Sequence, residues 1–257
     1  MAPEFEPFPD TQDALALPID VLGSQLLTFL VAAERSGLGH FLNSHNISNS
    51  GNWPGCSSAF LRATSEAWAW LVSKALVAGK PGEGNWCIIT RRGYELAKLD
   101  DPLRHLRAEE RLDVDLHPTI ATKVRAQFLM GEHELAALAA LRQVEIRVRE
   151  LAGASESNIG VKLMQSAFSK AGPLRQQQMD EGEQEAMMAL FWGAIGMFKN
   201  PPSHRQVDYD DPTMAVEVVL LADLLLRLLD RIALSSKPPQ RIVTRSTSRK
   251  AAAPSKS

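Results

Sequence analysis

Apolar residues recur along this chain at helical spacing far more often than in strict alternation. Over 20–35 the run Leu22, Leu26, Leu27, Leu30 and Val31 predicts a helix. A second run over 65–76 sets Trp68, Leu71, Val72 and Leu76 on one side and stops at Gly79. Between the two, 42–56 is dense in Asn, Ser, Gly and Pro, the composition of a long loop. The turn cluster Lys80-Pro81-Gly82-Glu83-Gly84-Asn85 is flanked by Leu76-Val77 and by Trp86-Cys87-Ile88-Ile89-Thr90, which predicts a β-hairpin, and a short helix over 92–98 closes the unit. Trp68 and Trp70 lie two residues apart and cannot share one helical face, so one of them is expected outside, marking a contact surface.

Acids, bases and Leu alternate over 100–116 with breaks at Pro102 and Pro118, which reads as a connection between domains. Every later pattern is helical. Helices over 118–129 and 134–151 form an expected antiparallel pair joined at Gly131, the second with the seam Ala137, Leu141, Val144, Val148 and Leu151. A shorter helix over 161–168 is bounded by Gly160 and Gly172-Pro173. Asp180 three residues before Glu183 has capping-box spacing and opens a helix to about 198, with Met187, Leu190, Phe191, Ala194, Ile195 and Phe198 as its stripe. Asp211 and Pro212 supply the N-cap and first position of the last helix. Only Glu217, Asp223 and Arg227 draw a polar line along it, so most of its sides need cover, and a homodimer is expected.

Composition changes this picture little. The chain has 257 residues, 45% apolar and 23% charged, with a formal net charge of −2, which excludes a fibrous or wholly disordered chain. The most apolar stretch, 213–233, is interrupted by Glu217, Asp223, Arg227 and Asp230, so no membrane partner is expected. No Lys or Arg precedes Arg35, as a secretory signal would require, and a cytoplasmic location follows as the expectation. Cys56 and Cys87 read as small apolar fillers, and His40, His45, His117 and His133 find no partner at metal-ligand spacing, so neither metal nor cofactor is expected. The residues to Pro18 are rich in acid and Pro, and 237–257 carries six basic residues and no acid. The resulting map is an acidic tail over 1–18, a first domain over 19–99, a linker over 100–116, a helical bundle over 117–236 and a basic tail over 237–257.

The stretch with the most chemistry is Phe198-Lys199-Asn200-Pro201-Pro202-Ser203-His204-Arg205, between the two strongest helices of the second domain. Two prolines end the preceding helix and hold a cation, an amide and an imidazole in one short loop. His204 exchanges a proton near neutral pH, Lys199 offsets charge on a phosphoryl oxygen, and Asn200 orients either. On chemistry alone the same loop also reads as a solvated segment flanking a helix.

Two resemblances bear on these alternatives. Helices followed by a hairpin, with the exit phrase Ile89-Thr90-Arg91-Arg92-Gly93-Tyr94-Glu95-Leu96-Ala97, resemble a winged-helix domain. The run from Leu116-His117-Pro118 through Glu145-Ile146-Arg147-Val148-Arg149-Glu150-Leu151 to the Lys199–His204 loop and Asp210-Asp211-Pro212 resembles the Ymh-type C-terminal domain of the HEPN superfamily, whose motif is Arg-x4-His. The fold class so implied is mainly α: a winged-helix-like unit with a small β-hairpin, then an all-α HEPN-like bundle. The resemblance also implies a metal-independent endoribonuclease of toxin or anti-phage type, acting as a homodimer on RNA. In that scheme His204 is the acid/base residue, Asn200 its support and Lys199 the cation, with Arg205, Arg147 and Arg149 as RNA contacts. Lys199 stands where the motif has Arg; Lys keeps the charge and loses the bidentate fork.

Glu145 and Arg149 also fit a plain exposed i,i+4 ion pair, worth a few tenths of a kcal/mol. The candidate recognition helix of the first domain offers little to DNA bases, with Glu66 and Lys74 its charged residues over 65–74. That favours a wing that is either purely structural or protein-binding, the latter with a protein partner docked through the N-terminal domain. The alternative to an enzyme is therefore an inactive HEPN-like module that dimerises or binds RNA.

Overall fold

The computed structural model describes residues 11–53, 56–199 and 211–235. The chain is mainly helical, with one small two-stranded antiparallel sheet among the described residues. Residues group into two compact units: of those described, 11–53, 56–116, 123–137 and 211–217 form the first, and 117–122, 138–199 and 218–235 the second. The division differs from a single boundary at 116, because the helices Pro118–Leu129, His133–Ala152 and Pro212–Ser235 each have residues in both units.

The first unit starts earlier than expected. Thr11–Ala16 is a short helix, α1, where a structureless tail was expected to Pro18, and Ala14 is buried in the core. Met1 to Asp10 and the basic tail lie outside the described residues. Helix α2, Ile19–Arg35, follows its periodicity and buries Leu22, Leu26, Leu27, Leu30 and Val31. The loop after it is pinned from within: the Trp53 indole N–H donates to the Ile47 carbonyl at 2.9 Å, and the Asn46 amide to the His40 carbonyl at 2.9 Å. Phe29, Phe41, Trp53 and Phe60 pack in succession, with ring centroids 5.0, 5.0 and 5.5 Å apart.

Helix α3, Ser58–Ser73, begins seven residues before its predicted start, because Ser57 Oγ caps it by accepting the Phe60 N–H at 3.2 Å. It also ends sooner. Ala75 adopts φ 55°, the left-handed conformation that stops helices, so Leu76 lies beyond the helix and Val72 is exposed. Neither Trp68 nor Trp70 is exposed: Trp68 is buried, and Trp70 fills the notch at Gly23, where an added Cβ would stand 2.3 Å from its ring. The exposed tryptophan of this unit is Trp86.

Strands β1, Val77–Gly79, and β2, Cys87–Ile89, form the predicted hairpin in the register Val77↔Ile89. Thr90 caps α4, Arg91–Leu96. The stretch read as a connection holds helix α5, Pro102–Arg111, with Asp101 accepting the Arg104 N–H at 2.9 Å and Pro102 in its first turn. Leu106, Ala108 and Leu112 give it a narrow buried edge on an otherwise charged helix.

Helices α6, Pro118–Leu129, and α7, His133–Ala152, are joined through Gly131 at φ 80°. The second unit adds α8, Gly160–Phe168, and α9, Glu181–Ala194, and takes most of α10, Pro212–Ser235. Among its described residues there is no strand. The capping box of α9 is complete, with Asp180 accepting the Glu183 N–H at 2.8 Å and Glu183 accepting the Asp180 N–H at 3.1 Å. Phe168 and Phe191 stack at 4.6 Å in the core. After Ala194 the helix widens into a π-helical segment, Ile195–Lys199, a distortion often found beside functional sites. Among the described residues no helix is long and apolar enough to cross a membrane.

Candidate functional site

The site is built on α7. Its seam residues Ala137, Leu141, Val144 and Val148 are fully buried, and the charged residues 145, 147 and 149 flank that seam on both sides. Glu145 is 5% exposed, not the surface partner its i,i+4 spacing suggested. Its Oε2 accepts the Lys199 ammonium at 2.9 Å and the Gly160 backbone N–H at 3.1 Å, while Oε1 accepts Arg149 Nη2 at 2.7 Å. A buried carboxylate therefore holds two cations and a helix N-terminus together.

Burial alone would raise the Glu145 pKa; the Lys199 hydrogen bond and charge, then the Gly160 N–H and Arg149, more than offset it and bring it below the usual Glu value. Arg149 also donates from Nε to the Asn158 carbonyl at 3.3 Å, which ties the turn before α8 to the same carboxylate. Lys199 is the last residue of the π-helical segment, so its anchor sets where the chain leaves α9.

The other flank of α7 carries a second network. Arg147 Nη2 donates to Asp230 Oδ1 at 3.1 Å and its Nη1 lies 3.5 Å from Glu150. His117, buried, meets Asp230 Oδ2 through Nε2 at 2.9 Å, and its backbone N–H donates to Asp223 at 2.5 Å. The Thr119 N–H donates to His117 Nδ1 at 3.3 Å, which assigns the proton of a neutral ring to Nε2. The hydrogen bond from His117, and then Arg147, holds the Asp230 carboxyl below the usual Asp value against a smaller effect of burial.

Of the residues singled out in the sequence, Lys199 and Arg149 meet on Glu145, and Arg147 sits on Asp230. Asn200, His204 and Arg205 lie outside the described residues. Sequence reasoning missed the burial of Glu145 and the His117–Asp230 pair. A carboxylate one position from a fully apolar seam was the available signal for the first; the second joins residues 113 positions apart and leaves no local trace. Among the described residues no group of three or more His, Cys, Asp and Glu is arranged to hold a metal ion.

Residues 114–229 match the family model described as a protein of unknown function, Hypoth_ymh. No curated protein and no solved structure matches the chain.

Proposed function

Taking a Ymh-type C-terminal domain as the premise, we propose that the chain is a HEPN-type endoribonuclease that needs no metal and acts as a homodimer, in the role of a toxin or anti-phage effector. The observation that carries this reading is the convergence of Lys199 and Arg149 on buried Glu145 at the chain's exit from α9. Keeping a charge inside costs more than an exposed pair returns, so the arrangement is better explained by the geometry it holds than by stability.

In the proposed reaction the ribose 2′-OH gives its proton to a base and its oxygen attacks the adjacent phosphorus. The P–O5′ bond breaks, and the leaving oxygen takes a proton. The products are a 2′,3′-cyclic phosphate and a 5′-hydroxyl. His204 is the acid/base residue, Asn200 orients it, and Lys199 offsets charge on the phosphoryl oxygens. Arg205, Arg147 and Arg149 are the RNA-binding residues of this proposal. Exposed Leu224 and Leu234 on α10 supply apolar surface for self-association. The winged-helix-like first unit docks a protein partner, with exposed Trp86 and Ile88 on its hairpin as the contact, and the whole operates in the cytoplasm.

A second reading, an inactive RNA-binding or dimerisation module, draws on a specific fact: Lys199, Arg147 and Arg149 are each committed to a carboxylate, and the motif Arg is Lys. Incubating total RNA with the native chain and with His204→Ala separates the two. Cleavage lost in the variant supports the enzyme. Equal cleavage by both removes the catalytic assignment, and activity appearing only in Lys199→Arg supports the inactive module.

A further inference from the structure

Within the second unit, helix α7 carries Arg142, Arg147 and Arg149, and they are not held alike. Arg147 gives Nη2 to Asp230 at 3.1 Å, and Arg149 gives Nη2 to Glu145 at 2.7 Å. Arg142 is exposed and forms no ion pair with any described residue. Its own helix supplies no acid for it. The positions three and four away are Leu138, Ala139, Glu145 and Ile146, and both oxygens of Glu145 are taken by Lys199, Gly160 and Arg149.

Arg142 and Arg149 share a flank. Seven residues are close to two full helical turns, so the two side chains leave α7 within about 20° of one another and about 10 Å apart along its axis. Glu145 stands between them in height and holds the Lys199 ammonium at 2.9 Å. One edge of α7 thus carries the buried cluster and, about one turn before it, an exposed guanidinium with no carboxylate on it.

That difference decides what an anion meets. A phosphate approaching Arg147 or Arg149 competes with the carboxylate already there, whereas one approaching Arg142 displaces only water and counterions. The guanidinium also offers paired donors that match the geometry of phosphate oxygens.

We propose that Arg142 is a phosphate contact for the RNA strand, gripping the backbone beside the Glu145 cluster and away from the reacting phosphodiester. The inference rests on the ribonuclease reading for the identity of the polyanion, and it deepens that reading by naming a residue that fixes the strand without touching the reacting atoms. RNA is favoured over an acidic protein segment by continuity. Its charges repeat along one backbone, so a strand that reaches the cluster also passes Arg142 on the same flank.

The test measures the anisotropy of a labelled uridine dodecamer with 2′-O-methyl riboses, which has no free 2′-OH and is not cleaved. Arg142→Gln should bind it about fivefold more weakly at low salt. The slope of log affinity against log salt should shrink by about 0.7, the share of one phosphate contact on a single strand. Arg142→Lys keeps the charge and should keep that slope. Arg35→Gln, which removes an exposed cation of the first unit, is the control and should change neither quantity. Unchanged affinity and slope in Arg142→Gln overturn the proposal, and so does an equal loss in Arg35→Gln, which would make the effect one of overall charge. Displacement of the dodecamer by polyglutamate as readily as by unlabelled dodecamer also overturns it, by assigning the flank to an acidic protein. Arg142-dependent binding without cleavage of any natural RNA would sink the ribonuclease reading and leave the contact standing, whereas cleavage with binding indifferent to Arg142 would do the reverse.

Discussion

The two units treat charge in opposite ways. In the first, the buried polar residue among those described is Thr64, whose hydroxyl donates to the Leu61 carbonyl at 2.9 Å. Its ion pairs, such as Lys74–Glu110 at 2.6 Å and Arg107–Asp20 at 2.7 Å, lie on the surface. In the second, His117, Glu145, Gln176 and Gln184 are all buried, and Glu145 gathers two cations. Exposed pairs contribute about 0–1 kcal/mol each, whereas an interior carboxylate is tolerated only with all its partners in place. Interior charge therefore marks the unit where the fold fixes a geometry, whereas the first unit is held by an apolar core with its charges kept outside.

The sharpest way to break this contrast is Glu145→Ala, which leaves Lys199, Arg149 and the Gly160 N–H without their shared acceptor. Urea unfolding should show a loss of about 3–5 kcal/mol; a loss below about 1 kcal/mol would make Glu145 equivalent to a surface residue. Next in size is Gly23→Ala in the first unit, where the new Cβ meets the Trp70 ring at 2.3 Å. Overpacking there should cost about 1–3 kcal/mol, read as a lower melting temperature.

Acid should then distinguish the units more gently. Because the Glu145 pKa is lowered in the folded state, its contribution is complete above the usual Glu value of about 4.3 and fades as pH falls through the lower folded value. Glu145→Gln should accordingly lose less stability than the native chain between neutral pH and that range in a pH series of thermal melts. Identical acid slopes would contradict the assignment. The smallest effect belongs to exposed Glu110→Ala, which frees half-buried Lys74 and should cost about 1 kcal/mol or less.

Local signals carried much of the fold. The spacing of α2, the turn between β1 and β2, the capping box of α9 and the Asp211–Pro212 start of α10 are each written within a few residues and are found where expected. Signals that depend on distant neighbours did not survive reading. Helix α5 was not foreseen because its buried edge is only Leu106, Ala108 and Leu112, and the role of Trp70 depends on Gly23, 47 positions away in sequence. At the site, Lys199 was legible as a cation at a helix end. Its anchor lies 54 residues upstream, and nothing near Lys199 in sequence announces it. Helical periodicity carried α9 to its end, but it could not foresee the switch to π-helical geometry after Ala194.

End-group analysis of RNA cut by the native chain with a chelator present tests the central claim most directly. The account predicts 2′,3′-cyclic phosphate and 5′-hydroxyl termini, absent when His204→Ala replaces the native chain. Intact RNA, 3′-hydroxyl termini, or the same cyclic ends from His204→Ala would contradict it.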